Sequence, residues 1–234
     1  RIPHPVPLPH RTGAGGFRQP DHANSGYVNF CFASSGTSIF VVPTSVTLVP
    51  GGSFPLAALA RDPDGVVLDP QAATWSSTDT ATVRLSPDGT VSAVKEGAAW
   101  VIAQFGSWHD SARVQVVTVT FTAVSAGPYR NTCATGPQGA FCWGNEAFIG
   151  NLGAGILLDA VASPVGVVTG EQFTAVSAGN GFACGLTAVG TPFCWGSSAY
   201  GRLGDGTVDS FRVVLVPVAG GLRLRSISAG RRHA

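Results

Sequence analysis

One short phrase, repeated along the chain, constrains the fold more than any other feature. "FTAVSAG" spans Phe121 to Gly127 and returns letter for letter at Phe173 to Gly179, 52 residues on; "LRSISAG" follows at Leu224 to Gly230. Between them "FCWG" occurs twice, ending at Gly144 and at Gly196. In the second copy the β-rich pieces read "FTAVSAG", "FACGLTAVG" and "TPFCWGSS", then the glycine-rich turn "YGRLGDGT" and a connection ending in "VVLVPVAG". A unit near 50 residues with about four short strands cannot bury both faces alone, so neighbouring units must stack. That is the requirement of a β-propeller blade, whose radial packing also hides strand edges.

Upstream, from about residue 39 to 118, short β segments are divided by strong turns. "TSVTLVPGGSFPLAALARDPDGVVL" alternates around Val46, Leu48, Leu56 and Leu59. "ATWSSTDTATVRLSPDGTVSAV" contributes Trp75, Val83 and Leu85, a turn at Asp88-Gly89, then Val91 and Val94. Asp-Gly between β-rich runs is a hairpin signal, because glycine accepts positive φ without a Cβ clash. Alternating runs in this number predict a small antiparallel sandwich. Residues 1–38 are expected to be poorly ordered, since prolines around His4 and His10 deny regular hydrogen bonding.

Two resemblances follow from these residues. "TWSSTDTATVRLSPDGTVSAVKEG" and its flanks, about 41–116, resemble a bacterial immunoglobulin-like domain of group 2. That resemblance implies a surface-exposed spacer or adhesion module and no catalysis. "SAGNGFACGLTAVGTPFCWGSSAYGRLGDGT" resembles repeats of the regulator of chromosome condensation family in their bacterial secreted type, and the likeness covers about 119–234. It implies a propeller, typically of seven blades, used as a protein-interaction platform; some members are nucleotide-exchange factors or protein inhibitors of enzymes. Asn131 and Phe182 stand where such repeats often carry histidine, which the third copy keeps as His233, and Ala154 replaces the turn aspartate seen at Asp205. Two units and the start of a third do not close a ring. The chain is therefore expected to be a fragment of a longer protein, the rival being a ring built from several copies.

Cys133 and Cys142, and likewise Cys184 and Cys194, flank a predicted hairpin turn. Opposed residues of an antiparallel pair lie within disulfide range, so one cross-strand disulfide is expected in each unit. Free buried thiols and a four-thiolate zinc site are the alternatives, and zinc is disfavoured because neither pair has C-x₂₋₄-C spacing. Disulfides would place the chain in an oxidising, extracytoplasmic compartment. Cys31 is the odd cysteine. Trp143 and Trp195, each following a cysteine, are expected to pack between units, with Gly144 and Gly196 permitting close backbone approach.

No arrangement for catalysis emerges. His109 and Asp110 are adjacent, so on a strand they point to opposite faces. Asp62, Asp64 and Asp69 could suggest calcium, but Asp-Pro-Asp-Gly is also an ordinary turn and later ligands are absent. "GAGG" and "GNLGAG" lack the strand-to-helix context of a phosphate cradle. Fourteen basic against thirteen acidic residues give a formal net charge of +1, which offers no field for nucleic acid. No apolar run is long enough to span a membrane.

The sequence thus predicts an all-β chain: a poorly ordered segment (1–38), an immunoglobulin-like sandwich (39–118) and an incomplete β-propeller of two blades plus the start of a third (119–234). No cofactor and no enzymatic activity are expected. Its expected role is an extracellular or cell-surface binding or adhesion module, with an unknown protein or cell-surface ligand as partner. A secreted inhibitor or regulator, or a non-catalytic part of a larger secreted enzyme, is the alternative. Candidate contact residues are Tyr129, Arg130, Glu146, Phe148, Tyr200 and Arg202, which vary between copies while the scaffold repeats.

Overall fold

The computed structural model describes residues 38–62, 67–68, 73–128, 130–145, 150–158, 160–208 and 211–234. The expectations placed on residues 1–37, including His4, His10 and Cys31, and on Asp64 and Asp69 lie outside the described residues. The fold is all-β, as read from the sequence: an immunoglobulin-like part and two propeller-like four-stranded units.

In the first part, β1 (Ser38–Val42) pairs antiparallel with β4 (Ala57–Arg61), which pairs with β5 (Val67–Leu68). A second small sheet orders β3 (Ser53–Pro55), β8 (Thr90–Ala93) and β7 (Val83–Leu85). Opposite them run β2 (Ser45–Leu48), β10 (Trp108–Val116), β9 (Gly97–Phe105) and β6 (Thr74–Ser77). Strand alternation sends Val46, Leu48, Phe54, Val83, Val91, Val101 and Val114 into the shared core. The Asp88-Gly89 turn forms as expected: Gly89 has φ +85°, and the Asp88 carboxylate accepts the Thr90 N–H at 3.0 Å.

Three sequence expectations need correction. Leu59 is exposed because the inward positions of β4 are the alanines 58 and 60, and leucine falls in the outward phase. Val94 lies one residue beyond the end of β8 and is also exposed. Third, β2 pairs parallel to β10, against the antiparallel expectation. Only Pro43 and Thr44 separate β1 from β2, so consecutive strands contribute to different sheets, and β2 meets the last strand of the sandwich instead of a hairpin partner.

The two repeats form matching antiparallel meanders. The first comprises β11 (Ala123–Ala126), β12 (Asn131–Gly136), β13 (Gly139–Asn145) and β14 (Ala160–Gly166). The second comprises β15 (Phe173–Ala178), β16 (Phe182–Thr187), β17 (Pro192–Ser197) and β18 (Phe211–Pro217). Strand β14 meets β2 where Val165 opposes Leu48, so one eight-stranded sheet runs from the first meander into the sandwich. Both side chains are fully buried there.

Successive units are clamped in the same way at each step. The Ser125 hydroxyl accepts the Ala178 N–H at 3.0 Å, and one unit later the Ser177 hydroxyl accepts the Ala229 N–H at 2.8 Å. The serine of the repeated "SAG" therefore satisfies a backbone donor of the next copy, a role the letters alone did not suggest. In all three copies the glycine of this motif donates its N–H, at 2.8 Å, to the carbonyl of Asn131, Phe182 or His233. Residues 224–230 thus repeat the start of a unit, with Ile227 and Ala229 packed on the cluster around Phe182 and Leu203.

"FCWG" is a bulge in each unit. The register of β13 on β14 shifts between Cys142 and Gly144, and that of β17 on β18 between Cys194 and Gly196. Gly144 and Gly196 have φ of +107° and +98°, and a Cβ on either would stand 2.1 Å from the Arg130 oxygen or 2.6 Å from the Phe182 Cα. The bulge turns Trp195 into a seat formed by the preceding unit: it is fully buried, and its Nε1–H donates to the Asn151 carbonyl at 3.1 Å. Phe173 flanks it with ring centroids 6.0 Å apart; Phe121 and Trp143 repeat the pair at 5.9 Å, with Trp143 only partly buried.

Removing a fully enclosed indole leaves a cavity and an unpaired carbonyl. Trp195→Ala is expected to lower stability by about 3–5 kcal/mol, and Trp143→Ala by clearly less, in urea unfolding followed by near-ultraviolet circular dichroism.

Candidate functional site

Two disulfides hold the ends of the hairpins from which the loops emerge. Cys133 lies directly opposite Cys142 and Cys184 opposite Cys194, with Cα separations of 4.1 and 4.0 Å, and the sulfurs are bonded in both pairs. All four residues are buried. Each staple sits immediately before a tryptophan bulge, so it fixes the strands on which the unit-to-unit contact depends.

The loop leaving β17 carries the candidate residues Tyr200 and Arg202. Ser197 and Ser198 close it locally: the Ser197 hydroxyl accepts the Ala199 N–H, and the Ser198 carbonyl accepts the Gly201 N–H at 2.9 Å. Tyr200 adopts φ 63° and ψ 18°, a left-handed conformation that is uncommon for a bulky residue, and remains 66% exposed. Arg202 is tied down beside it: Nε–H donates to the Ala199 carbonyl at 2.7 Å and Nη1–H to the Asn180 carbonyl at 2.6 Å. Its guanidinium lies 5.5 Å from the Phe182 ring centroid and 5.5 Å from that of Tyr200. Arg232, from the start of the third copy, covers Tyr200 at 4.8 Å. Burial draws the Arg202 pKa below the ordinary arginine value; Tyr200 opposes this and Arg232 adds to it. Arginine stays charged at neutral pH regardless.

The first unit presents different chemistry at the same places. Counting from the shared Leu-Gly pair, Asn151 stands where the second unit has Arg202, and Asn131 stands where it has Phe182. A stacked cation and ring are thus replaced by two amides. Asn131 is buried with both amide atoms unpartnered among the described residues, and Asn151 donates to the Asn145 carbonyl at 3.0 Å while its side-chain oxygen has no partner among them. Arg130 is exposed at φ 62° and makes no cation–π contact with Tyr200. Tyr129, Glu146 and Phe148 lie outside the described residues. Sequence reasoning named Tyr200 and Arg202 but missed Phe182 and Arg232; the signal for Phe182 was its departure from the histidine of the third copy.

The glycine-rich turn behind this loop is locked by Asp205. Its carboxylate accepts the Thr207 N–H at 3.0 Å and the Thr207 hydroxyl at 2.7 Å, and pairs with Arg212 at 3.2 Å. Partial burial pushes the Asp205 pKa up, but Thr207 and Arg212 outweigh it and hold the group below the usual carboxylate value. Elsewhere, the Asp110 carboxylate accepts the Val41 N–H at 2.7 Å, joining β10 to β1 and not serving His109. Among the described residues no group of three or more His, Cys, Asp or Glu is placed to hold a metal.

Comparison with known proteins matches these parts separately. A family model described as bacterial Ig-like domain (group 2) matches residues 36–116, and one described as regulator of chromosome condensation (RCC1) repeat matches residues 173–202. The chain is 29% identical over 119 residues to ice-binding protein 1 of Shewanella frigidimarina, a stretch amounting to 50% of this chain and 13% of that protein. Among solved structures it is similar to human WBSCR16 (15% identity, TM-score 0.43, 80% of this chain and 57% of that one). It is also similar to Prp20p of Saccharomyces cerevisiae (12%, 0.42, 79% and 53%) and to domains 5–6 of the S-layer protein SbsC (16%, 0.33, 77% and 95%). A bacterial Ig-like domain and an RCC1-type repeat are therefore both present in the chain.

Closing so short a loop stabilises by about 3 kcal/mol in the chain-entropy account, so the double replacement Cys184→Ser with Cys194→Ser is expected to lower the urea midpoint by the equivalent amount. The Asp205 contribution follows from the sign of its shift. A folded pKa below the unfolded value of 3.8 adds stability above that pH, and this is lost as pH falls through the folded value. Thermal melts should therefore show a larger loss of Tm on acidification below about pH 4 for the native chain than for Asp205→Asn, with the two differing most near neutrality.

Proposed function

With a bacterial Ig-like domain and an RCC1-type repeat as its parts, we propose that the chain belongs to an extracellular or cell-surface protein that binds other proteins through the loops of its propeller-like units. It serves binding or adhesion and carries out no chemistry itself. The division into a spacer over 39–118 and a binding platform over 119–234 is part of this proposal.

The observation that carries it is the loop at Tyr200. An aromatic side chain is held in solvent on a left-handed backbone that costs of order 1–3 kcal/mol, and the same loop is fixed by a disulfide-stapled hairpin and a twice-bonded arginine. Rigid, exposed Tyr and Arg on a β scaffold are what protein recognition uses most, because they offer large contact area with few rotamers left to freeze. Export is supported by the two disulfides, which persist in oxidising compartments, and by the Ig-like domain.

Fluorescently labelled chain incubated with intact cells of the source organism is expected to bind saturably, and binding is expected to disappear when the cells are first treated with protease. Non-saturable binding, or binding unaffected by protease, would overturn the reading.

A further inference from the structure

Charge on this chain is sparse, yet at the seam between the second and third copies three groups converge without an anionic partner. Arg202 and Arg232 each lie over the Tyr200 ring, at 5.5 and 4.8 Å to its centroid. Neither arginine meets a carboxylate among the described residues, and the nearby Asp205 is engaged by Arg212 and Thr207. Arg231 and His233, both exposed, flank Arg232 in sequence.

The hydrogen-bonding inventory of the seam is one-sided. Arg202 spends Nε and Nη1 on backbone carbonyls, which leaves Nη2 to be used. Arg232 donates to no group among the described residues, and the Tyr200 hydroxyl is likewise uncommitted. Guanidinium groups cannot accept hydrogen bonds, and a phenol hydroxyl can donate as well as accept, so the free capacity of this surface is mainly for donation. A ligand that fits is acceptor-rich and negative: the planar fork of Arg232 matches a carboxylate two bonds at a time, and Arg202 adds a donor at Nη2. The exposed Tyr200 ring beside them adds apolar surface for the methylenes that carry such carboxylates.

We propose that the Tyr200–Arg202–Arg232 seam binds an Asp- or Glu-rich segment of a partner protein. This deepens the protein-binding reading above and rests on it. A nucleic acid is the poorer match: the formal net charge is only +1, and the cationic cluster is a point between two units, not a track along a groove. The left-handed backbone at Tyr200 fits the same role, since the ring it carries stays exposed beside the arginines and does not add to the core. Because Arg232 comes from one copy of the repeat and Tyr200 from the preceding one, the site exists only where two units are clamped together, by Ser177 to Ala229.

The test is fluorescence anisotropy of fluorescein-labelled hexaglutamate with the full 234-residue chain at low ionic strength. Saturable binding is expected, weakened about tenfold by Arg232→Gln, as for loss of one charged hydrogen-bonding group, and about threefold or more by Tyr200→Gly, which removes the ring and its neutral hydroxyl. Arg113→Gln, which removes an exposed cation on β10, should leave affinity within about twofold, since an exposed remote charge contributes little. Glycine accepts the backbone of position 200, so Tyr200→Gly should also keep or raise Tm, separating loss of binding from loss of fold. No binding, equal weakening by Arg113→Gln, indifference to the seam variants, or tighter binding of a twelve-residue oligothymidine would each overturn the proposal. If hexaglutamate fails while protease-sensitive binding to cells persists, the seam is wrong and the protein-binding reading stands; if hexaglutamate binds at the seam while cells do not, the reverse holds.

Discussion

Everything in the second half of the chain depends on one unit being covered by the next. A four-stranded meander of about 50 residues has two apolar faces and no way to bury both, so the free energy that orders it comes from the seam. Trp195 shows how the seam is built. Its indole is enclosed by the preceding unit and bonded to a carbonyl there, and it reaches that seat only because the strand bulges at Cys-Trp-Gly. The glycine is required by backbone and not by habit: positive φ and the approach of Phe182 leave no space for a Cβ. The disulfide one residue earlier fixes the strand pair that presents the ring.

The same seam determines where binding chemistry can be displayed. The loop that leaves β17 comes to rest against the beginning of the third copy, so residues far apart in sequence share one surface. Tyr200 and Arg232 are brought together this way, while Asn180 and Phe182 hold Arg202 from beneath. At the matching place in the first unit, Asn131 and Asn151 replace ring and cation, and the cost appears as buried amide atoms without partners. Two copies of one scaffold therefore place different side chains beneath the loop on the same backbone.

Much of this was legible in the letters. The period, the four strands per unit, the hairpin position of each cysteine and the turn at Asp88-Gly89 all follow from local rules, because they depend on residues close in sequence. Leu59 and Val94 show the limit: alternation was read correctly in kind, but whether a given apolar residue falls in the inward phase depends on strand ends and on small residues such as Ala58 and Ala60 taking the core. The parallel pairing of β2 with β10, and the junction of Leu48 with Val165, are contacts across more than 60 residues and leave no periodic trace. At the candidate site, comparing copies picked out Tyr200 and Arg202, but the partners that fix them were not visible.

By itself, then, the sequence determined that this protein is an all-β chain with an Ig-like part and stacked repeats, since those properties are written in periods of 2 and of about 52 residues. Tertiary structure alone decided how the parts are joined and which side chains meet at a seam. The reason is that a repeat specifies each unit and the next in identical terms, whereas the edge strand that receives β2, and the arginine that covers Tyr200, are chosen by proximity in the folded chain.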